Sequence, residues 1–499
     1  MTKYMNIHKF LLIAVLAVTV TSCKKLDLFP ASSIARDQSF QKVTDAKNWN
    51  AGMYNFLRGR FYGGFTFSTD VQSDLLNATL DFGNRNGNPH RWGTSFLADD
   101  YTIRDVWAAY YGAITNINVA LEGFSKITPA NAAEAAELNK YRGDAHLARA
   151  YYYHCLMLRW AKSYNPATAS TDLGVPLVTK YDVNAQPARA TSKEVYDLII
   201  SDINQAKGFL ANTPGALGAK TFNIDVAIAL EARVLLQMQN WSGAYNAANS
   251  LITGGKYKLI NTATALRAYW HFDGNTESIF EIVTIKPNEL AQTNSIYLGF
   301  LPATGRFTPD FVPSQWVVDE YADADIRKLV YFEQKPATFQ GVNYNNVWMV
   351  NKYPGNPALF TGAATNYQHA PKFMRIAEMY LIAAEAAAMS NSAANALTQL
   401  NALRTSRGLT ALSGLSGAAL MDEIKKERFR ELAFEGFRLD DLERWNEGFT
   451  RRAPQNTAFI NVGSNYNTLT VPANDPKFIW GIPTNDITIN PKLVQNPGW

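Results

Sequence analysis

Cysteine is almost absent from this 499-residue chain, which has only Cys23 and Cys155. Two thiols make at most one bridge, so no disulfide framework holds the fold and the core must do so. Histidine is nearly as scarce, with six residues and no H-E-x-x-H array. His146 and His154 lie eight apart on what reads as a packed helix, where a histidine is a satisfied core residue rather than a zinc ligand. No metal site and no cofactor is expected. A G-x-S-x-G elbow is missing, and the run Gly215 to Thr221 departs from a phosphate loop because Ala219 separates Gly218 from Lys220. It reads as a turn. Charge of one sign is lacking too, with 47 Lys plus Arg against 43 Asp plus Glu and no basic cluster. That balance excludes a nucleic-acid binder.

Long apolar runs are also wanting. Phe10 to Val20 is too short to span a bilayer, but it suits the centre of a secretory signal behind the basic start Met1 to Lys9. Val20-Thr21-Ser22-Cys23 then fits a bacterial lipobox, in which small residues precede a cysteine that is acylated and becomes the mature N-terminus. Residues 1–22 are expected to be a lipoprotein signal peptide, Cys23 the lipidation site, 23–40 a lipidated tether and 41–499 a single domain. Several acyl chains on one residue anchor stably, so the body needs no membrane contact of its own.

Aromatic residues and helical periodicity are abundant, with 11 Trp and 24 Tyr. Thr44 is placed to cap a first helix whose face carries Trp49, Met53, Phe56 and Leu57. Asp105 to Phe124 with Leu138 to Lys162 reads as a helix pair, as do Val195 to Leu210 with Val226 to Gln239, followed by Trp241 to Ile252. Phe373 to Met389 with Ala393 to Arg407 is another, and Arg375, Glu378 and Glu385 exclude a membrane span there. Small residues at regular positions let helices approach closely, as in tetratricopeptide-like repeats. The expected fold is mainly α, a tetratricopeptide-like helical repeat scaffold with long irregular loops and a few short β-strands, the latter at Ser278 to Ile285 and Asn346 to Tyr353. Periodicity fails over about 60–104 and 256–370, two loop-rich insertions with aromatics set among Asn, Gly, Asp and Ser.

Such loops suit a sugar ligand, because axial C–H groups pack on an aromatic face while hydroxyls seek polar side chains at its rim. The first insertion offers Arg85, Asn88, Arg91, Trp92 and Tyr101, and the second Trp270, Tyr297 and Trp316. Carboxylate pairs exist at Asp99-Asp100, Asp323 with Asp325, and Asp440-Asp441. A glycosidase needs a set spacing between two acids in space, and neighbouring acids in a sequence are more often solvated or ion-paired.

The densest mixture of charge and apolar bulk is Lys425 to Trp445, KKERFRELAFEGFRLDDLERW, where Asp422 and Glu423 favour a helix start and Gly436 interrupts the run. Charges beside a packed face are tolerable only in pairs, so Glu427, Arg428, Arg430, Glu431, Glu435, Arg438, Asp441 and Arg444 are expected to form a structural network. This stretch resembles the C-terminal signature of the SusD/RagB family of outer-membrane nutrient-binding lipoproteins. Ile482-Pro483, Asn490-Pro491, Leu493 and Gln495 to Trp499 match its chain end, with Asp486 and Trp499 where members often carry Glu and Tyr. Lys24 to Pro30 resembles its tether. The resemblance implies a SusD-like α/α superhelix whose loops build the ligand face. It further implies a surface lipoprotein of the cell outer membrane that binds oligosaccharide or polysaccharide without catalysis and acts as a lid on a SusC-like TonB-dependent transporter. A peptide-capturing member of the same fold and a surface glycan hydrolase are the alternatives.

Overall fold

Alanines govern how the helical frame closes. The computed structural model describes residues 38–291, 293, 295–362, 365–461 and 468–499. The expected signal peptide, Cys23 and all but the last three residues of the tether lie outside them. In chain order the frame is built from α1 (Val43–Phe61), α2 (Gly64–Gln72), α3 (Gly87–Arg91), α4 (Tyr101–Lys126), α5 (Ala132–Trp160), α6 (Ser192–Phe209), α7 (Ile224–Gln237) and α8 (Trp241–Thr253). After the second insertion, which carries α9 (Ala263–His271), α10 (Gln315–Asp319) and α11 (Lys328–Tyr331), come α12 (Ile376–Met389), α13 (Ala393–Ser406), α14 (Gly417–Leu432), α15 (Arg438–Arg444) and α16 (Thr484–Ile489). Each long helix packs on its neighbour in sequence from α4 to α8, and α12 then lies against α8, α13 and α14. Ala244 and Ala248 of α8 and Ala383 and Ala386 of α12 are fully buried, so these backbones approach closely. The fold is the mainly helical one expected. No helix among the described residues is long and apolar enough to cross a membrane.

Local chemistry fixes the helix starts. Asn223 accepts from the N–H groups of Asp225 and Val226 at 3.0 and 3.1 Å, and Thr191 and Glu194 form a reciprocal capping box on α6. At α1 the cap is not Thr44, which lies inside the helix. Asp45 instead accepts from the N–H groups of Gln41 and Lys42 at 2.9 and 3.0 Å. Likewise α14 begins at Gly417, five residues before Asp422. Between α5 and α6, Arg149 grips Asp202 with two bonds of 2.7 and 2.8 Å, and His146 meets the same carboxylate at 2.7 Å.

The second insertion is more β-rich than its sequence pattern implies. Its strands at Phe332–Phe339 and Val342–Val350 form a hairpin closed by Gln340 and Gly341, both at positive φ (46° and 80°), the geometry of a two-residue turn that matches strand twist. They join Phe300–Leu301 and Arg306–Phe307 in one four-stranded sheet. Further on, Ser278–Glu281 pairs with Lys372–Arg375, so the sequence expected to open α12 as helix is strand up to Arg375.

One charge network joins the insertion to the helices. Glu431, fully buried, accepts from Arg327 at 3.0 Å, Arg375 at 2.9 Å and Arg407 at 2.9 Å. Glu427 meets Arg327, Arg404 and Arg430, Glu435 meets Lys352 and Arg375, and Asp441 meets Arg428 and Arg444. Arg438 forks onto Asp74 at 2.9 and 2.8 Å. Burial by itself would raise the Glu431 carboxyl, but Arg407 and Arg375 outweigh it and hold it well below the ordinary range.

Residues 476–499 return to the first third of the chain. Trp480 donates its N–H to the Arg159 carbonyl at 2.6 Å and its indole N–H to Gln72 at 2.8 Å, while Trp160 donates to the Gly481 carbonyl at 2.9 Å. Asn496 donates to the carbonyls of Trp160 and Trp480 at 2.9 and 2.8 Å, and its own side-chain oxygen accepts from Arg189 at 2.8 Å.

Candidate ligand-binding cleft

Asp100 organises the first insertion. It caps α4 by accepting from the Thr102 N–H at 3.0 Å, and its other oxygen accepts from Asn88 at 2.9 Å, tying the loop to the helix start. Tyr101 is thereby the first residue of α4, 47% exposed, and its hydroxyl accepts from the Asn86 N–H at 2.8 Å. That bond holds the phenol in place while about half of the residue remains open to solvent. Beside it Arg85 reaches Asp310 at 2.6 Å with its side chain still 59% exposed. Burial pushes the Asp310 carboxyl up to about 6, against the opposing pull of Arg85.

Arg85, Asn86 and Tyr101 line an open cleft of about 350 Å³, together with Phe65 and Phe67 of α2, Thr102 and Val106 of α4, and Ser295 and Ile296. Both phenylalanines are half-buried. The cleft therefore combines aromatic side chains with hydrogen-bonding groups, the pairing that a sugar requires. Phe65 and Phe67 escaped the sequence reading because Gly64 to Gln72 looks irregular. The adjacent glycines Gly63 and Gly64 ahead of two aromatics were the one available signal.

Of the residues singled out from sequence, only Arg85 and Tyr101 line this cleft. Asn88 and Arg91 do not line it but tie the same loop together, Arg91 donating to Asn84 at 2.6 Å and to Asn88 at 2.7 Å. Trp92 faces inward instead, its indole N–H on the Gln72 carbonyl at 2.6 Å and its ring against Phe449 and Phe478. Trp270 and Tyr297 are 3% and 2% exposed, too deep to present a stacking face at the surface. Trp316 is half-buried and already engaged, stacked on Phe429 at 5.0 Å with the Arg452 guanidinium 4.7 Å from its ring. The paired carboxylates are engaged separately: Asp440 with Arg159, Asp441 with Arg428 and Arg444, Asp325 with Arg327, Asp323 with Lys328, and Asp99 with the Thr484 N–H.

The chain is a mainly helical body carrying a loop-lined cleft, and comparison with known proteins shows what it resembles. The model described as SusD family matches residues 327–499, and one described as starch-binding associating with outer membrane matches 26–236. Two SusD-like proteins of Formosa agariphila are 25% and 22% identical, over 99% of this chain and 99% and 98% of their own lengths. A SusD superfamily protein from Bacteroides thetaiotaomicron superposes with a TM-score of 0.77 at 23% identity, over 91% of this chain and 100% of its own. A SusD-like carbohydrate binding protein from Bacteroides vulgatus does so at 0.73 and 22%, over 91% and 98%. SusD-type models match both its N-terminal and its C-terminal part and SusD-like relatives match along its whole length, so the chain is SusD-like.

Proposed function

We propose that this chain is a non-catalytic, lipid-anchored glycan-binding protein of the cell outer membrane. It captures oligosaccharides in the cleft of Phe65, Arg85 and Tyr101 and delivers them to a SusC-like TonB-dependent transporter, over which it acts as a lid. The observation that carries this reading is Tyr101, exposed yet held through its hydroxyl, lining one cleft with two half-buried phenylalanines and an exposed guanidinium. A fixed ring loses little entropy when a sugar stacks on it. The family's description as starch-binding and the carbohydrate-binding relative of like fold support the ligand class. The carboxylates being spent on separate partners favours binding over hydrolysis.

Titration calorimetry of the full chain in detergent against a panel of polysaccharides and their oligosaccharides tests the reading. Saturating heat that then ceases is expected, and Tyr101→Ala should weaken affinity by about tenfold. Heat that continues after mixing means turnover and overturns it.

A further inference from the structure

A second cleft, of about 90 Å³, opens between α5, α7, α12 and the turn before α15, and the two clefts have only Phe65 in common. Its polar lining is incompletely spent. His154 is 2% exposed, and among the described residues neither ring nitrogen has a hydrogen-bond partner; Nε2 of buried His369 and Nε1 of Trp270 also lack one there. Unpartnered buried polar groups beside a cleft mark a wall whose hydrogen-bonding capacity the protein itself leaves short.

Two guanidiniums in the same wall are half used. Arg159 bonds Asp440 through Nη1 alone. Arg233 engages Glu378 through Nε and Nη2, both at 2.7 Å, and Nη2 also reaches the Phe373 carbonyl. Arg159 Nε and Nη2 and Arg233 Nη1 are thus left for a further acceptor, while Asp440 Oδ2 is left for a donor. Around them stand Tyr110, Tyr151, Phe373 and Phe437.

We propose that this inner cleft binds a small hydroxy-carboxylate of the kind a uronic acid presents. Its carboxylate accepts from Arg159 and Arg233, a hydroxyl donates to Asp440 Oδ2, and its ring lies against the aromatic wall. A dianion is disfavoured by the Asp440 and Glu378 carboxylates. Burial holds the Asp440 carboxyl up at about 6, so at neutral pH it is mostly ionised and can accept from a ligand hydroxyl. Burial, with Arg233 and Arg159 nearby, pushes His154 down to about 3, so it stays neutral, one nitrogen a donor and the other an acceptor. The site is independent of the outer cleft.

The test is calorimetry of the full chain with D-glucuronate, D-glucose as its neutral counterpart, and acetate. Saturable heat from glucuronate is expected, weaker from acetate and none at this site from glucose. Exchanging the ion pair for amides, Arg159→Gln with Asp440→Asn, should weaken glucuronate binding by about tenfold or more. Leu158→Trp fills the cleft from a half-exposed position without altering charge and should abolish it, whereas Tyr101→Ala should leave it unchanged. In the unmodified chain, carbon-13 methyl signals of Leu158 should shift saturably with glucuronate. Absence of both heat and shift means the cleft holds water only and overturns the proposal. So does equal binding of glucose and glucuronate, or full affinity in both cleft variants.

Discussion

Trp92 and Glu443 illustrate what single side chains do here. Trp92 packs against Leu439, Leu442, Phe449, Val471 and Phe478. Its removal should therefore be felt in stability: Trp92→Ala should lower unfolding free energy by roughly 2–3 kcal/mol in a denaturant titration, with ligand affinity unchanged. Glu443 is pushed up to about 8 by burial, although it accepts from the Ser163 N–H at 2.8 Å. Its folded value lies above the unfolded one, so ionisation opposes folding increasingly as pH rises from about 4.5 to about 8. Glu443→Gln keeps the acceptor and should raise the melting temperature at pH 9 but not at pH 4. Glu431 is the contrary case, an acid held charged by three arginines. Glu431→Gln leaves those cations short of a partner and should cost about 3–5 kcal/mol at neutral pH. The sequence conveyed that the charges of 427–444 must pair. It could not convey which aromatics stay exposed, because Trp92, Trp270 and Tyr101 stand in equally polar neighbourhoods and only the partners across the fold separate them.

Helices were legible where periodicity was long, as in α4 to α8 and α12 to α14, because one apolar face recurs over several turns. Elements fixed by distant contacts were less so. The strand Phe332–Phe339 contains Pro336, and its pairing register shifts between Lys335 and Ala337. Alternation is broken there and only its partner's pattern reads as β. α2 depends on the turn Ala433 to Phe437, in which Phe434 and Gly436 both have positive φ, 65° and 81°. Asp70 accepts from the Gly436 N–H at 3.2 Å, and a Cβ on Gly436 would stand 3.0 Å from the Thr66 carbonyl oxygen. Gly436→Ala should therefore cost about 1–2 kcal/mol from backbone strain. It should also displace the first turn of α2, where Phe65 separates the two clefts, so glycan affinity and thermal stability should fall together in calorimetry and melting experiments.

For the whole molecule, acid should act in two stages. His154 and His271 are pushed down to about 3 and 4 by burial, so stability is complete above the ordinary histidine value of 6.5 and declines below it as the unfolded chain takes up protons. Glu427 and Glu431, held below 4.5 by their arginines, add a second loss once pH falls under that value. Protonation of Glu443 offsets the first loss, so the histidine contribution is read by difference: in circular dichroism melts His154→Phe should lose less stability than the unmodified chain between pH 7 and 5.5, and both should lose stability between pH 5.5 and 3.5. The return of residues 476–499 has a consequence for synthesis. Ribosomes make a protein from its N-terminus, so Trp160, Gln72 and Arg189 emerge hundreds of residues before Trp480 and Asn496 exist to pair with them. During that interval the shell around Trp160 stays open to chaperones and proteases, and a transcript broken before codon 480 yields a chain whose earliest helices never close.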